Sequence, residues 1–313
     1  MSKVIFSKKT ILPVLAFMLL LAGCKGKEND GVEVLVEQAA TEQTRSDDPG
    51  CLLPTKGGEI LLGDEELTVD ATNASDGYFY ITYSGSNSDV KLQLSTEGSV
   101  TYTYKIQAGD MVLPLSLGAG EYTLIAYEGI GNGMYSARFS EKINVENVDE
   151  FGPFLYPNYF VNFSEDSEAV ELGSSLASGK SCDLEVIAAV YEYVIQNITY
   201  DYDKASNVAS DYVPEVDAIL ESKKGICFDY AALMASMLRS QKIPTRLEMG
   251  YAKDAYHAWI SCFVKDKGWI NGMIKFDGTG WTLMDPTFAA NSTSKELKKF
   301  IGDGDNYTTK YIY

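Results

Sequence analysis

The sequence predicts an α+β protein in which an antiparallel β-sandwich precedes a domain that combines helices with strands. Between residues 57 and 145, short runs of alternating apolar and polar residues are separated by turns, as in strands that bury one face. After about residue 149 the apolar residues recur with helical spacing. A chain of 313 residues is also long enough for about two domains of ~150 residues each. We therefore expect a β-sandwich over residues 51–148 and a second domain over residues 149–313.

The N-terminal segment predicts export and attachment to a membrane. Three lysines precede an apolar run from residue 11 to residue 22, which is too short to cross a bilayer and is typical of a signal peptide. The run ends in small residues before Cys24, and this arrangement resembles the bacterial lipobox. We expect residues 1–23 to be removed, Cys24 to carry lipid and the polar residues 24–50 to form a flexible tether. The predicted location is the outward face of a bacterial cell membrane. An ordinary secretory signal with an incidental cysteine is the alternative.

The charge balance and the histidine count exclude several classes of function. The chain has 26 basic and 44 acidic residues, so its formal net charge is −18. Such a surface repels the phosphate backbone, and we expect no nucleic-acid partner. The single histidine excludes a metal site built from several histidines, and the acidic run at residues 302–305 is too short for a calcium loop. We therefore expect neither a metal nor another cofactor.

The predicted sandwich carries no recognisable catalytic motif. Its strand-forming stretches are rich in tyrosine, for example residues 78–83 and 100–106. Outward tyrosines could form a platform for a ligand, but tyrosine is also simply a good strand former, and we favour this second interpretation. The domain is therefore predicted to be a spacer or a binding module.

The first segment that suggests catalysis is residues 224–234, where a glycine and a cysteine precede an apolar helical run. Cys227 would lie in the first turn of this helix, where unpaired main-chain N–H groups and the helix dipole stabilise a thiolate. The neighbouring Lys223 and Lys224 would act in the same direction if they face the site. On this segment alone, a small buried cysteine that packs the start of the helix is an equally favoured interpretation.

A strand-like segment over residues 256–264 contains the only histidine of the chain. Alternation places His257 and Trp259 on one face and Cys262 on the other, where we expect an inert core thiol. A single histidine is more often a surface or core residue than a catalyst. This one, however, follows Cys227 by about thirty residues, and a helix can pack against a strand at that separation. His257 is therefore the candidate general base.

A third candidate, Asp285, stands at the end of a strand-like run that Pro286 stops. A carboxylate at this place can accept the second N–H of an imidazole and so fix its tautomer. The alternative is an aspartate that only initiates the turn before the proline.

Together these segments resemble the transglutaminase-like superfamily, whose members have a papain-like thiol fold. The resemblance covers residues 180–290, about a third of the chain, and also includes the upstream segment 197–201. By this resemblance Cys227 is the nucleophile, His257 is the general base and acid, and Asp285 orients the histidine. The motifs that carry it are Gly225-x-Cys227-x-Asp229-Tyr230-Ala231, His257-Ala258-Trp259 and Asp285-Pro286-Thr287.

The sequence departs from the superfamily at one position that matters for transition-state stabilisation. Eukaryotic transglutaminases carry a tryptophan upstream of the cysteine, whereas all three tryptophans of this chain lie downstream of it. The main-chain N–H of Cys227 is one natural oxyanion donor. The second donor is unassigned, and Tyr200 and Asn197 are the candidates.

The resemblance implies a thiol enzyme that acts on peptide or carboxamide bonds through a thioester. If water resolves the thioester, the enzyme is a cysteine peptidase or amidase. We favour this interpretation because an exported lipoprotein meets wall peptides. Resolution by a lysine amine would make it a cross-linking transglutaminase. The alternative from another functional class is a non-enzymatic lipoprotein that binds peptides or glycans without turnover. The expected partners are a peptide or protein substrate, with cell-wall peptides as one candidate, and the membrane through the lipid anchor.

Two further cysteines leave a disulfide open. Cys51 and Cys182 could pair outside the cell, but nothing in the sequence indicates that their Cα atoms approach each other. If Cys227 is catalytic, its thiol must stay free.

Overall fold

A computed structural model of the chain describes residue 45 and residues 49–252, 255–265, 268–271, 273–276, 281–284 and 307–313. The predicted signal peptide, Cys24 and most of the predicted tether lie outside the described residues, and so does Asp285. Within the described part of the chain, no helix is both long and apolar enough to cross a membrane.

The N-terminal part of the described chain forms two four-stranded antiparallel sheets. Its strands are β1 Leu61–Gly63, β2 Leu67–Asp70, β3 Tyr78–Tyr83, β4 Val90–Thr96, β5 Tyr102–Ile106, β6 Gly109–Pro114, β7 Gly120–Gly131 and β8 Met134–Val145. The strand order is β1-β2-β3-β6 in one sheet and β5-β4-β7-β8 in the other.

The two sheets share a core made by the inward faces of their strands. On β7, Tyr122, Leu124 and Ala126 are fully buried and alternate with more exposed residues. The rings of Phe79 on β3 and Tyr122 on β7 meet edge to face, with 5.7 Å between their centroids, and so connect the sheets. The predicted antiparallel β-sandwich is confirmed, because the alternation along each strand gives each sheet one apolar face.

The C-terminal part of the described chain combines helices with short strands, as an α+β fold predicts. The helices are α1 Glu168–Ala177, α2 Asp183–Asn197, α3 Tyr202–Asn207, α4 Val216–Ser222 and α5 Cys227–Ser240. The strands are β9 Thr199–Tyr200, β10 Lys224–Gly225, β11 Thr245–Ala252, β12 Ala255–Val264, β13 Gly268–Asn271, β14 Met273–Phe276, β15 Trp281–Met284 and β16 Tyr307–Ile312.

Four of these strands form an antiparallel sheet in the order β13-β12-β11-β16, and α5 packs against its central strands β11 and β12. The strands β14 and β15 form a separate antiparallel pair, and β9 and β10 form a short parallel pair. The sheet and the helix α5 therefore provide the frame on which the candidate site is built.

Helix α5 is the centre of this part of the fold, because all its residues from Phe228 to Ser240 are buried. The Arg239 guanidinium is fully buried and donates hydrogen bonds to the main-chain oxygens of Tyr156, Thr245 and Tyr313 at 2.8–2.9 Å. Burial lowers the pKa of Arg239 to about 9. These bonds connect α5 to the sheet and to the segment that follows the sandwich.

Aromatic side chains join the sandwich to the C-terminal part. Tyr102 and Tyr104 on β5 are buried, and their ring centroids lie 5.4 and 6.3 Å from that of Tyr313. The Tyr102 hydroxyl also accepts a hydrogen bond from the Ile312 N–H at 3.1 Å. Both tyrosines lie on the inner face of their sheet, because their register partners on β4 are buried leucines. Strand alternation predicts this inward direction, but it cannot predict the contacts with the C-terminal end of the chain.

Candidate active site

Helix α5 begins at Cys227, so the thiol lies in the first turn of a long buried helix. The backbone of Ile226 before it is extended, and the Ile226 N–H donates a hydrogen bond to the Asp229 carboxylate at 2.8 Å, which caps the helix. Glycine fits at position 225 because a Cβ atom there would lie only 2.6 Å from the Cβ of Asp229. The glycine and the aspartate of the motif thus both serve to place Cys227 at the helix N-terminus.

The Asp229 carboxylate is the centre of a buried polar cluster. It is fully buried, and it accepts hydrogen bonds from Lys204 Nζ and from the Tyr212 hydroxyl, each at 2.6 Å. Burial, followed by the neighbouring Asp229 carboxylate, raises the pKa of Tyr212, so its phenol stays protonated and remains a donor. Lys204 lies on α3 and Tyr212 lies in the loop after it. The cluster therefore holds this segment against the start of α5.

A two-residue parallel pairing brings the segment 199–201 to the same place. The Thr199 N–H donates to the main-chain oxygen of Lys223, and the Asp201 N–H donates to that of Gly225, both at 2.9 Å. Tyr200 is consequently in register with Gly225, two residues before Cys227. The pairing explains physically why this upstream segment belongs to the site.

His257 lies on β12 opposite Gly250 of β11, and it is buried, with 9% of its surface exposed. Its ring stacks with that of Trp259, which lies two residues further along the same strand; the centroids are 6.5 Å apart and the planes differ by 24°. A buried, stacked imidazole has little rotational freedom, so the strand holds it in a defined orientation.

Cys227 and His257 line one cavity of about 310 Å³. Cys227 is partly buried there, and the other walls are largely apolar or aromatic, including Tyr200, Met249 and Tyr256. Burial raises the pKa of Tyr256, so its hydroxyl is a proton donor at neutral pH. A thiol and an imidazole that line the same cavity can perform nucleophilic catalysis at a carbonyl.

The structure brings two of the three predicted catalytic residues together. Cys227 and His257 come from separate elements and share the cavity, whereas Asp285 lies outside the described residues. The catalytic roles of all three stay predictions. Among the described residues, no group of three or more His, Cys, Asp or Glu side chains is arranged to hold a metal ion.

The two predicted oxyanion donors lie in different surroundings. Tyr200 lines the cavity, whereas the side-chain amide of Asn197 is exposed and donates to the main-chain oxygen of Tyr193 at 2.8 Å.

The lysines near Cys227 also differ in their contacts. Lys223 lies against α2, because its Nζ donates to the Tyr193 hydroxyl at 3.0 Å. Lys204 was not identified from the sequence. Its ammonium group lies at the start of α5, where it donates a hydrogen bond to Asp229. No local pattern marks it, since its partner Asp229 is 25 residues away in the chain.

The other described cysteines differ in their surroundings from Cys227. Cys262 is buried, and burial raises the pKa of its thiol to about 12, as expected for a core position. Cys51 carries a free thiol, so the disulfide to Cys182 that the sequence left open is not formed in this structure. Burial and the neighbouring Glu165 raise the pKa of Cys51.

Residues 170–286 match the model of the transglutaminase-like superfamily. The match begins in α1, includes Cys227 and His257, and ends just beyond Asp285. This part of the chain is therefore a transglutaminase-like domain.

The chain is also similar to three known proteins. It is 30% identical over 143 residues to the UPF0252 protein MJ1282 of Methanocaldococcus jannaschii; the match covers 39% of this chain and 38% of the relative, so it spans less than half of that protein. A Cytophaga hutchinsonii structure provisionally named a cysteine protease is 14% identical, with a TM-score of 0.37, over 81% of this chain and 73% of that chain. The transglutaminase of red sea bream is 15% identical, with a TM-score of 0.29, over 82% of this chain and 52% of that chain.

Proposed function

We propose that the protein is a thiol enzyme that hydrolyses peptide or carboxamide bonds, a cysteine peptidase or amidase anchored by lipid on the outer side of a bacterial membrane. The observation that carries this proposal is the shared cavity of Cys227, at the start of α5, and His257, on β12. The transglutaminase-like domain that contains both residues supports it further. The anchor rests on the lipobox-like sequence before Cys24.

The reaction proceeds in two steps. His257 takes the proton of the Cys227 thiol, and the sulfur attacks the carbonyl carbon to form a tetrahedral oxyanion. The C–N bond then breaks, His257 protonates the leaving amine, and a thioester remains on Cys227. Water resolves the thioester with His257 as the base, and Asp285 holds the imidazole in the required tautomer.

The oxyanion needs hydrogen-bond donors that are in place before the reaction. The Cys227 N–H is one donor, because the first N–H groups of a helix have no partner within the helix. We assign the second donor to Tyr200, since it lines the cavity and is in register with Gly225. Transfer of the acyl group to a lysine amine would use the same residues and differs only in the nucleophile that resolves the thioester.

Iodoacetamide is expected to alkylate Cys227 first when the native protein is treated near neutral pH. Cys227 is partly exposed in the cavity beside His257, at the positive end of the helix dipole, and alkylation requires a thiolate. The pKa of Cys51 is raised, and that of Cys262 is about 12, so both thiols should react slowly. Raising the pH from 7 to 9 should leave Cys262 unlabelled, because its thiolate is still scarce at pH 9. Peptide mapping at timed intervals measures these rates.

The Cys51→Ser protein serves as the control, since it removes a competing thiol outside the cavity. It should leave the labelling rate of Cys227 unchanged, whereas His257→Gln should slow it. Labelling of Cys227 no faster than that of a free thiol such as glutathione would refute an activated nucleophile.

A further inference from the structure

We propose that the cleft between the sandwich and the transglutaminase-like domain binds a carboxylate of the peptide substrate, with Lys91 and Lys105 as the cations that recognise it. This inference rests on the proposed function, because the substrate must be a peptide that reaches Cys227. It assigns a role to the sandwich, which becomes one wall of an extended binding site.

The cleft is continuous with the cavity of Cys227. A second cavity of about 400 Å³ lies between the sandwich and the C-terminal part. Five residues line both this cavity and the one that holds Cys227 and His257, namely Ser210, Tyr212, Phe228, Met249 and Tyr256. A peptide bound at Cys227 can therefore extend over these side chains towards the sandwich.

The sandwich supplies two cations to this second cavity. Lys91 on β4 and Lys105 on β5 both line it, and they are directly opposite each other in the antiparallel register. Like charges at directly opposed positions destabilise a sheet, so an anion placed between the two lysines relieves a repulsion that is built into the strands. The protein as a whole is strongly acidic, and a local pair of cations therefore also orients an anionic substrate that the rest of the surface repels.

A carboxylate of the protein itself already lies beside one of the two lysines. Asp211, from the loop between α3 and α4, accepts a hydrogen bond from Lys105 Nζ at 2.6 Å. This bond lowers the pKa of Asp211. The pair is partly exposed, with about 36% of the Lys105 side chain and 45% of that of Asp211 accessible, so a competing carboxylate can reach it. Asp211 thus shows the ligand chemistry that the site accepts.

Lys91 supplies the second positive charge of this position, and it also lowers the pKa of Asp211. Its Nζ lies 4.0 Å from the centroid of the Tyr135 ring, and among the described residues no carboxylate forms a salt bridge with it. The nearby Asp89 accepts a hydrogen bond from the Tyr135 hydroxyl at 2.7 Å. The exposed Thr103 on β5 adds a hydroxyl donor to the cavity wall. Two ammonium groups and a hydroxyl beside aromatic rings suit the carboxylate of a peptide, either an acidic side chain or a free C-terminus.

Binding of matched peptides to the Cys227→Ala protein tests the proposal without the need for turnover. Fluorescent peptides would differ only by Glu or Gln at positions on either side of a central amide, or by a free or amidated C-terminus. We expect the carboxylate form to bind roughly three- to tenfold more tightly, as for a partly exposed charge pair. Lys91→Gln combined with Lys105→Gln, in the Cys227→Ala background, should abolish this preference, whereas Asp211→Asn should increase it.

Lys142→Gln is the matched control, because Lys142 lies on the same sandwich and pairs with Glu121, outside the cleft. It should keep the preference, and the melting temperature should show that the double variant is folded. Equal binding of both peptide forms, or a preference that survives the double substitution, would overturn the proposal. The Glu and C-terminus pairs distinguish the two sources of the carboxylate. If the preference holds but the wild-type protein forms no acyl-enzyme, the proposed reaction fails while the binding site stands.

Discussion

Replacing Cys227 with alanine is expected to abolish turnover, and replacing His257 with glutamine should reduce it to nearly the same extent. The two residues act as one unit, since the thiol is a poor nucleophile until the imidazole takes its proton. The chain contains a single histidine, so no other imidazole can substitute for His257. We expect kcat to fall by about 10⁴-fold or more in each variant, as in other enzymes that depend on a nucleophile and base pair. Hydrolysis of a fluorogenic peptide, followed under single-turnover and steady-state conditions, measures the loss.

The Cys51→Ser protein is the matched control for the cysteine change, because Cys51 precedes the first strand, β1, and does not line the cavity. Its kcat should stay within about twofold of the wild-type value, as is usual for changes away from special features. The double variant Cys227→Ala, His257→Gln should be no worse than either single variant. A His257→Gln protein that retains a tenth of the wild-type kcat would contradict the assigned role.

Replacing Asp229 with alanine is expected to lower both the stability of the protein and its activity. The fully buried carboxylate accepts the Ile226 N–H, the Lys204 ammonium and the Tyr212 hydroxyl, and the alanine variant would leave all three donors without this acceptor. Breaking a buried charge pair in this way costs about 3 kcal/mol of the free energy of unfolding. Activity should fall as well, because the same bonds fix the start of α5 and one wall of the cavity. Urea denaturation and kcat measurements test the two parts separately.

Two further variants separate the causes. Asp229→Asn keeps the shape and one acceptor oxygen but loses the charge, so its loss of stability should be smaller than that of Asp229→Ala. Asp203→Ala, an exposed change on α3 two residues from the Asp201 N-cap, should stay within about 0.5 kcal/mol of the wild type. If Asp229→Ala were as stable as Asp203→Ala, the polar cluster would not be what holds the α3 segment in place.

Much of the fold could be predicted from local patterns. The alternation over residues 57–145 identified the sandwich, and the helical spacing of apolar residues after about residue 149 agrees with helices such as α2, Asp183–Asn197. Cys227 at a helix start and His257 on a strand were likewise predictable, because capping and alternation are properties of neighbouring residues.

What the sequence could not predict depends on contacts between distant residues. Lys204 and Tyr212 meet Asp229 only because the short pairing of β9 with β10 folds their segment back onto α5. Alternation places Tyr102 and Tyr104 on the inner face of β5, but their ring contacts with Tyr313 depend on how the far end of the chain packs. Such contacts leave no periodic pattern in the sequence, because the spacing of neighbouring residues does not determine which distant side chain packs against them.

Intact-mass analysis of the protein tests the role of Cys227 directly, after rapid acid quenching with a peptide library, with and without an added primary amine. We expect an acyl adduct on Cys227 in the wild-type and Lys142→Gln proteins that is absent in Cys227→Ala and that water resolves to a free carboxylic acid. Products that incorporate the amine instead of water would assign the transferase reaction to the same thioester. Peptide cleavage that continues in Cys227→Ala, or an adduct carried by another residue, would contradict the central claim that Cys227 is the nucleophile.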